Sequence, residues 1–483
     1  MAYFCNMEQT RLERLYDREC FQEQAQSLLE LLGTHLDQTQ SGTQEKVLNW
    51  NKPENELQFW KDFARQADKG FTGSSLTDFF VNTLSHTIHT HHPRYVGHQV
   101  TSPAPPTTLT AMLGALLNNG MAIYEMGMAP TALERIVTDR LCEKIGYDQN
   151  SRGLLTSGGT LANLTALLMA RQSRVSYDAW QEGLQNQLGI LVSEEAHYCV
   201  DRAAKIMGLG EAGILSVPVT KDYAMDTNAL KEVYQKAKAE GIEVFALVGS
   251  APSTATGVYD PLEEQAAFAK EYGLWFHVDA AHGGAAIFSE DYKYLMKGAE
   301  QADSVVIDGH KMMLMPTLTT ALLYKNGQDG QQTFSQKASY LLEDTTEEDW
   351  YNGAKRTFEC TKTMTSLHWY LLMELYGIEV FDEYVTRQYD LGRSFAEQIQ
   401  ADPDFELGLQ PQSNIVCFRY VKEDTTEEEL NRLNAQIRQK ALETGRFYLV
   451  QTRLKEKQFL RCTLMNPFTT PEHLQELLAH LRP

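Results

Sequence analysis

The chain has 483 residues, and its 64 acidic against 43 basic side chains give a formal net charge of −21. This acid excess argues against binding to nucleic acids or anionic membranes, which requires basic surface. No apolar run approaches the length of about 18 residues that a transmembrane helix requires. The seven cysteines include no C-x-x-C pair. We therefore expect neither a disulfide framework nor a zinc site, and a reducing, cytoplasmic location fits.

The N-terminal region reads as helical segments on either side of a polar linker. Residues 8–33 carry the apolar stripe of an amphipathic helix, and residues 56–85 look helical again. The chain is too long for one small core. Its length therefore predicts one large and one smaller domain, with the N-terminal region as an appendage.

Five histidines fall between His86 and His98, a density that invites interpretation as a metal site. Pro93 interrupts their spacing, and no cysteine or acidic residue lies nearby in the sequence, so we expect no metal there. The proline-rich stretch 103–106 predicts a turn before a helix over 107–118, which we expect to be buried.

A glycine turn follows the apolar run at Leu154 and Leu155. Gly158, Gly159 and Thr160 come directly before a helical pattern. Free backbone N–H groups at the start of a helix bind anions, so this turn is a candidate phosphate site, although an ordinary strand-to-helix turn has the same appearance. No G-x-G-x-x-G or G-x-x-x-x-G-K-[ST] occurs, so neither a Rossmann nor a P-loop interpretation has support.

Two later strands end in residues with reactive side chains. One ends at Asp279 and continues into small residues that include Ala281, and the other ends before Gly309, His310 and Lys311. Ligands of open α/β sheets lie beyond the carboxyl ends of the strands. A partly desolvated lysine there has a depressed pKa and becomes a nucleophilic amine, whereas the alternative is a solvated loop lysine. A carboxylate, small residues under a flat ring and an amine together suit pyridoxal phosphate (PLP).

Five short motifs together resemble one known family. The motifs are HHPRYVGH, TSGGTLANL, HVDAAHGG, DGHK and the pair Tyr340-Leu341, and they span the chain from about residue 80 onwards. The resemblance is to the group II PLP-dependent amino-acid decarboxylases. It implies an α/β chain with the PLP-dependent transferase fold of the aspartate aminotransferase superfamily, which has a large, mostly parallel-sheet domain and a small C-terminal α/β domain.

The same resemblance implies a domain plan and an assembly. Residues 1–85 form an N-terminal helical segment that packs in a dimer, residues 86–370 form the PLP-binding domain, and residues 371–483 form the small domain. The expected assembly is a homodimer with active sites at the subunit interface, and we expect no nucleic-acid or membrane partner.

The resemblance also implies how the cofactor is held. Lys311 holds PLP covalently, Asp279 keeps the pyridine nitrogen protonated, and His197 stacks on the ring and belongs to the catalytic group. Thr254 contacts the ring oxygen, although Pro252 stands where the family has glycine. The remaining cofactor contacts are Gly158, Gly159, Thr160, Ala281 and His310.

Substrate contacts and the reaction follow from the same source. Tyr340 returns a proton to the substrate carbon, in its own or its partner's site, and Arg461 pairs with the substrate carboxylate. His98 and Gln99 are candidate side-chain contacts. The predicted reaction converts a small polar L-amino acid, such as aspartate, glutamate or 2,4-diaminobutyrate, to the amine and CO₂. Decarboxylation of an aromatic amino acid or lysine, a PLP aminotransferase, and an inactive homologue that acts as a binding partner remain open.

Overall fold

The computed structural model describes residues 10–67, 73–334 and 349–483. Its described part contains sixteen α-helices, joined by short 3₁₀ turns and one π-helical turn. In chain order they are α1 Arg11–Leu15, α2 Arg18–Gln40, α3 Pro53–Gln66, α4 Gly73–Ser85, α5 Pro106–Leu117, α6 Tyr124–Ile145, α7 Gly159–Arg174, α8 Ala179–Glu182, α9 Cys199–Ile206, α10 Thr227–Ala239, α11 Leu262–Tyr272, α12 Gln328–Phe334, α13 Ser366–Tyr370, α14 Glu379–Ala401, α15 Glu427–Thr444 and α16 Pro471–Leu481. No helix in this part of the chain has the length and apolar character needed to cross a bilayer.

Eleven strands in the same described ranges form two sheets. They are β1 Arg152–Thr156, β2 Leu188–Ser193, β3 Ile214–Val217, β4 Glu243–Ser250, β5 Trp275–Asp279, β6 Ser304–Asp308, β7 Thr320–Tyr324, β8 Phe405–Leu407, β9 Ile415–Tyr420, β10 Val450–Leu454 and β11 Lys457–Thr463. The larger sheet has the order β1-β7-β6-β5-β4-β2-β3, and the smaller has the order β10-β11-β9-β8.

The larger sheet is parallel except for one strand. The neighbours from β3 to β6 pair in parallel, as expected for strands separated by helical crossovers. Strand β7 is antiparallel to both β6 and β1, and no long helix precedes it. An apolar run at residues 318–324 with no long helix before it indicates antiparallel pairing from the sequence, and the fold confirms this. Helices α7 and α9 bury their apolar faces on the sheet and complete its core.

The chain divides into two compact units that are not contiguous in sequence. The terminal unit comprises the described residues up to His98, together with Glu397–Gly408 and Phe418–Pro483. The sheet unit comprises the described residues of Gln99–Ala396, together with Leu409–Cys417. Our predicted boundaries at 85/86 and 370/371 divide the chain into three consecutive segments. The compact units instead combine segments that are distant in sequence, and the N-terminal and C-terminal segments belong to the same unit. The dimer role of residues 1–85 stays a prediction.

In the terminal unit, the histidines that cluster in the sequence contact different partners. His86 pairs with Glu56 at 3.0 Å, the ring of His92 bonds to a backbone carbonyl, and the ring of His89 lies 5.0 Å from that of His35. Cys20, in the first turn of α2, is disulfide-bonded, which the cysteine spacing did not indicate because pairing depends on distance in the fold.

Helix α5 forms where the sequence predicts it, but the expectation that it is buried was wrong. Of its residues only Thr107 is buried. Five apolar side chains, each between 45% and 67% exposed, form a stripe along the helix: Leu109, Met112, Leu113, Leu116 and Leu117. Their spacing is that of the apolar face of an amphipathic helix, and the described residues of the sheet unit leave this face exposed.

Candidate active site

A cavity of about 270 Å³ lies in the sheet unit, beyond the carboxyl ends of its parallel strands. Five connections, those after β1, β2, β4, β5 and β6, contribute to its wall. Every cofactor contact predicted from the sequence lines this cavity: Gly158, Gly159, Thr160, His197, Thr254, Asp279, Ala281, His310 and Lys311. The remaining wall is formed by Ser157, Asn163, Cys199, Ser250, Pro252, Ser253, His282, Asp308 and Leu318. Residues that are far apart in sequence therefore meet at one sheet edge.

Lys311 reaches the cavity from the turn after β6. Its Nζ lies 3.0 Å from Asp308 Oδ2, and only 20% of its side chain is exposed. Burial, the largest influence, lowers the pKa of the amine, but the carboxylates of Asp308 and Asp279 together outweigh it and raise that pKa above its ordinary value. The expected depressed pKa was therefore wrong, because two acids share the pocket with the amine. At neutral pH Lys311 is an ammonium group here.

Asp279 ends β5 and presents its carboxylate to the same cavity. The backbone N–H of Ala281 donates to its Oδ1 at 3.2 Å, and the Cys199 thiol lies 3.7 Å from its Oδ2. These donors fix the orientation of the carboxylate. Burial is the main cause that raises the pKa of the Cys199 thiol, and the Asp279 charge adds to it, so the thiol keeps its proton and donates it.

His197 lies in the connection between β2 and α9 and is half-buried. Burial lowers the pKa of its imidazole, and Asp279 only partly opposes this effect. A neutral imidazole ring therefore faces the cavity on the side of Asp279. Such a flat, uncharged face suits contact with another ring.

The glycine turn leads directly into α7. Gly158 has a φ of +122°, a conformation that L side chains rarely adopt. A Cβ on Gly159 would lie 3.1 Å and 3.2 Å from the two carboxylate oxygens of Asp308. The backbone N–H groups in the first turn of a helix have no intrahelical partner and attract anions. Because Gly158 and Gly159 have no Cβ, their backbone N–H groups are accessible to a phosphate.

His310 is held by the strand that follows it. Its Nδ1 lies 2.9 Å from the carbonyl oxygen of Thr319, so we assign the proton to Nδ1 as donor. Its Nε2 then faces Asp308 Oδ2 at 3.6 Å. The backbone N–H of Thr101 donates to the carbonyl of His310 at 3.2 Å, which brings the segment after Gln99 close to this turn.

A buried network below the cavity joins α7 to β5 and β6. Asn163 donates to the carbonyl of Gly159 at 2.9 Å and accepts from His277 Nε2 at 2.7 Å. His277 Nδ1 accepts from the Ser304 hydroxyl at 2.8 Å, and the Trp275 indole N–H donates to the same oxygen. Burial lowers the pKa of His277 to about 4, so its ring is neutral with both nitrogens bonded. This network holds the glycine turn in register with the strands.

The remaining predicted residues lie outside the cavity wall or outside the described ranges. Tyr340 falls outside the described residues. Arg461 lies on β11 and His98 ends the N-terminal stretch, and both belong to the terminal unit. Gln99 belongs to the sheet unit, and its Nε2 is a buried donor without a hydrogen-bond partner among the described residues.

A family model described as the pyridoxal-dependent decarboxylase conserved domain matches residues 64–421, more than half of the chain. The chain belongs to this family. It is a PLP-dependent carboxy-lyase that acts on an amino acid, as the resemblance in the sequence had implied.

Known relatives of the decarboxylase differ in the amino acid that their names specify. It is 30% identical to an aspartate 1-decarboxylase from Aliivibrio fischeri over 86% of each chain. It is 27% identical to an L-2,4-diaminobutyrate decarboxylase from Acinetobacter baumannii, with 82% of this chain and 81% of the relative covered. The crystal structure of mouse CSAD has the same fold, with a TM-score of 0.90 and 23% identity over 96% and 98% of the two chains. The predicted PLP-dependent transferase fold is therefore confirmed.

The residues of the cavity fit PLP. The turn at Gly158 and Gly159 has no side chains that would obstruct a phosphate, Lys311 supplies the amino group, and the Asp279 carboxylate is oriented by two donors. Asp308 is the member of the decarboxylase site that the sequence interpretation left without a role. The signal was present, because Asp308 ends β6 as Asp279 ends β5, but its contacts with Lys311 and Gly159 appear only in the fold.

Proposed function

We propose that this cavity is the active site of the decarboxylase and that Lys311 is the residue to which PLP attaches. The observation that supports the proposal is the position of Lys311 and Asp279 in one cavity, beside the first turn of α7. An amine and an acid at neighbouring strand ends, with a candidate anion site in the same cavity, match the aldehyde, ring nitrogen and phosphate of this cofactor.

Different residues of the cavity bind different parts of PLP. The Gly158–Thr160 turn and His310 bind the phosphate, and Asp279 holds a proton at the ring nitrogen, because a nearby anion favours the charged form. His197 covers one ring face, and Thr254 contacts the ring oxygen. When bound, PLP supplies an electron-accepting ring that stabilises the charge left at Cα as CO₂ departs.

Chemical trapping tests the attachment site. The purified protein is expected to show the visible absorbance of lysine-bound PLP, and after borohydride reduction peptide mapping should find the modification on Lys311. Lys311→Ala should lack both signals. Lys293→Ala serves as the control, because Lys293 is an exposed lysine that pairs with Glu290 at the surface. A modified lysine at any other position contradicts the proposal.

We further propose that the substrate is a small polar amino acid such as aspartate, glutamate or 2,4-diaminobutyrate. The relatives that act on aspartate and diaminobutyrate support this choice. Gln99 stays a predicted side-chain contact, with a buried Nε2 that lacks a partner among the described residues.

A product screen tests the substrate class. Amine formation is measured across the twenty amino acids and the short diamino acids, and one acidic or diamino substrate should give the highest kcat/KM. Gln99→Leu is expected to lower that value about tenfold or more, while PLP absorbance stays unchanged as the control. A preference for aromatic amino acids or lysine, or an unchanged value in the variant, overturns this assignment.

Three more roles stay predictions. Arg461 pairs with the substrate carboxylate through its two-pronged guanidinium, His98 contacts the substrate, and Tyr340 returns the proton to Cα. Tyr340→Phe should change both CO₂ release and amine yield in a single-turnover assay. Unchanged yields would remove Tyr340 from the mechanism.

We also propose that the enzyme is a cytoplasmic homodimer with active sites at the subunit interface. The uncovered apolar stripe on α5 supports the assembly, because contiguous apolar surface on a folded unit marks an interaction site.

A further inference from the structure

Arg438, on α15 of the terminal unit, has a buried donor that the described part of the chain leaves unpaired. The donor is its Nε, which has no hydrogen-bond partner among the described residues. The helix supplies no acidic neighbour, because the residues three and four positions away are Asn434, Ala435, Ala441 and Leu442. An unsatisfied buried donor costs free energy, and a charged one marks a place where an anion can bind.

Contacts towards the two ends of α15 fix where Arg438 lies along the smaller sheet. In the N-terminal half of the helix, the side chain of Asn431 accepts from the backbone N–H of Gln458, on β11, at 2.7 Å. Near the C-terminal end, Leu442 packs in one core cluster with Tyr95. Arg438 therefore lies on the stretch of α15 between its contact with Gln458 and its contact with Tyr95.

A second arginine, Arg461, lies on the face of the sheet that α15 covers. Side chains two residues apart on a strand point to the same side, so Arg461 shares its side with Phe459. The Arg419 guanidinium lies 5.1 Å from the centre of the Phe459 ring and pairs with Glu427, in the first turn of α15. Arg461 is 7% exposed, so its guanidinium is held beneath this helix rather than in solvent.

Backbone hydrogen bonds bring the segment before His98 to the same end of β11. The backbone N–H of Thr463 donates to the carbonyl of Val96 at 2.8 Å, and the N–H of Val96 donates to the carbonyl of Tyr448 at 3.0 Å. The ring of His98 then lies 5.8 Å from that of Tyr448. Because Thr463 follows Arg461 by two residues, these rings lie at the end of the strand that carries this arginine.

Tyr448 lies close to both arginines. Burial raises the pKa of its hydroxyl, and the positive charges of Arg438 and Arg461 oppose that rise. The same two charges reach the ring of His98, which is exposed. The terminal unit thus presents two guanidinium groups and a protonated hydroxyl together, next to a residue that is open to solvent. All three are hydrogen-bond donors, and two of them are cations, so the group suits an anion.

We propose that Arg438 and Arg461 bind the two carboxylates of an acidic amino acid, so that the decarboxylase prefers aspartate or glutamate to 2,4-diaminobutyrate. The inference rests on the proposed function, in which Arg461 pairs with the α-carboxylate. Guanidinium groups bind carboxylates through paired N–H donors, and Arg438 offers such donors to the side-chain carboxylate. The ammonium side chain of 2,4-diaminobutyrate would meet the like charge of Arg438 and be repelled.

Calorimetric binding of succinate and butyrate to the holoenzyme tests the site without turnover. The two acids share a four-carbon chain and differ in the second carboxylate, so wild type should bind succinate about tenfold or more tightly than butyrate. Arg438→Gln should remove this difference, and Arg438→Lys, which keeps the charge, should retain part of it. Arg432→Gln is the control and should match wild type, because Arg432 is an exposed arginine of the same helix that pairs with Glu428. Equal affinities in wild type, or an unchanged difference in Arg438→Gln, overturn the proposal.

Steady-state kinetics give a second measurement that separates the two proposals. Arg438→Gln should lower kcat/KM for the preferred acidic substrate about 10- to 100-fold, chiefly through KM, and should not lower the value for 2,4-diaminobutyrate. If wild type prefers 2,4-diaminobutyrate to both aspartate and glutamate, the role of Arg438 is wrong and the active site stands. If peptide mapping finds PLP on a lysine other than Lys311, the attachment site is wrong, and succinate binding still reports on the two arginines.

Discussion

Gly159 shows how an absent side chain shapes the site at the residue scale. The position faces the two oxygens of Asp308, and a methyl group there would meet them at 3.1–3.2 Å. That separation is tight for a carbon against a carboxylate held by Lys311 and Thr320. The position of the Asp308 carboxylate therefore leaves no room for a side chain at Gly159.

Gly159→Ala is expected to weaken PLP binding by about 10- to 100-fold, because overpacking of a fixed site costs about 1–3 kcal/mol. The dissociation constant is measured by titrating the cofactor-free protein and following its absorbance. Gly33→Ala is the control, since Gly33 lies inside α2 with nothing within 4 Å of an added Cβ. That control should keep PLP affinity and gain about 0.5–1 kcal/mol of stability. Normal affinity in Gly159→Ala would show that the turn does not contact the phosphate.

Among single residues, the sequence indicated those that can be recognised from their type and their position at a strand end. It missed Asp308, whose contacts with other residues form only in the fold. Lys311, Asp279 and the glycine turn stand at predicted strand ends. The pKa of Lys311 was assigned the wrong direction, because the sequence does not show that Asp308 and Asp279 both approach the amine.

At the scale of elements, the site depends on the alignment of α7 with β5 and β6. The buried network through Asn163, His277 and Ser304 makes that alignment with hydrogen bonds of 2.7–2.9 Å. His277 is fully buried and neutral, and its pKa is about 4 in the folded protein. Its protonation would leave a charge inside the core.

His277→Gln is expected to reduce the acid sensitivity of the fold. In the unfolded chain His277 takes up a proton below about pH 6.5, whereas the folded protein resists this until about pH 4. The stability that the neutral ring contributes is therefore present above pH 6.5 and is lost as the pH falls towards 4. Between pH 7 and 5 wild type should lose about 2 kcal/mol from this group, and the variant should not.

Urea unfolding at the two pH values measures the difference. The variant starts lower at pH 7, by about 1–3 kcal/mol, because a partner in the network is disturbed. Its free energy of unfolding should then fall less than that of wild type between pH 7 and 5. An equal fall in both proteins would mean that His277 is not held neutral by the fold.

At the scale of the whole molecule, the apolar stripe of α5 is the largest departure from expectation. The sequence predicts the helix and its apolar character correctly, yet the described part of the sheet unit leaves the stripe exposed. Each such side chain contributes about 1.5–3 kcal/mol when fully covered. A second copy of the chain is the occupant that the predicted homodimer supplies.

The double variant Leu113→Glu/Leu116→Glu is expected to sediment as a single chain at concentrations where wild type is a dimer, because buried carboxylates would face apolar surface. Ile206→Glu is the control, since Ile206 is an equally exposed apolar residue at the end of α9. Analytical ultracentrifugation measures the mass of each protein. A dimeric double variant would place the interface elsewhere.

The sequence by itself determined the family, the cofactor, the mostly parallel sheet with its antiparallel strand, and the strand ends that carry Asp279 and Lys311. These follow from residue type and from patterns along the chain, which need no knowledge of what lies opposite. Only the tertiary structure decided that both chain ends contribute to one unit, that the apolar stripe of α5 is exposed among the described residues, and that Asp308 lies beside both Lys311 and Gly159. Those properties depend on distances between segments far apart in sequence, and such distances exist only once the chain has folded.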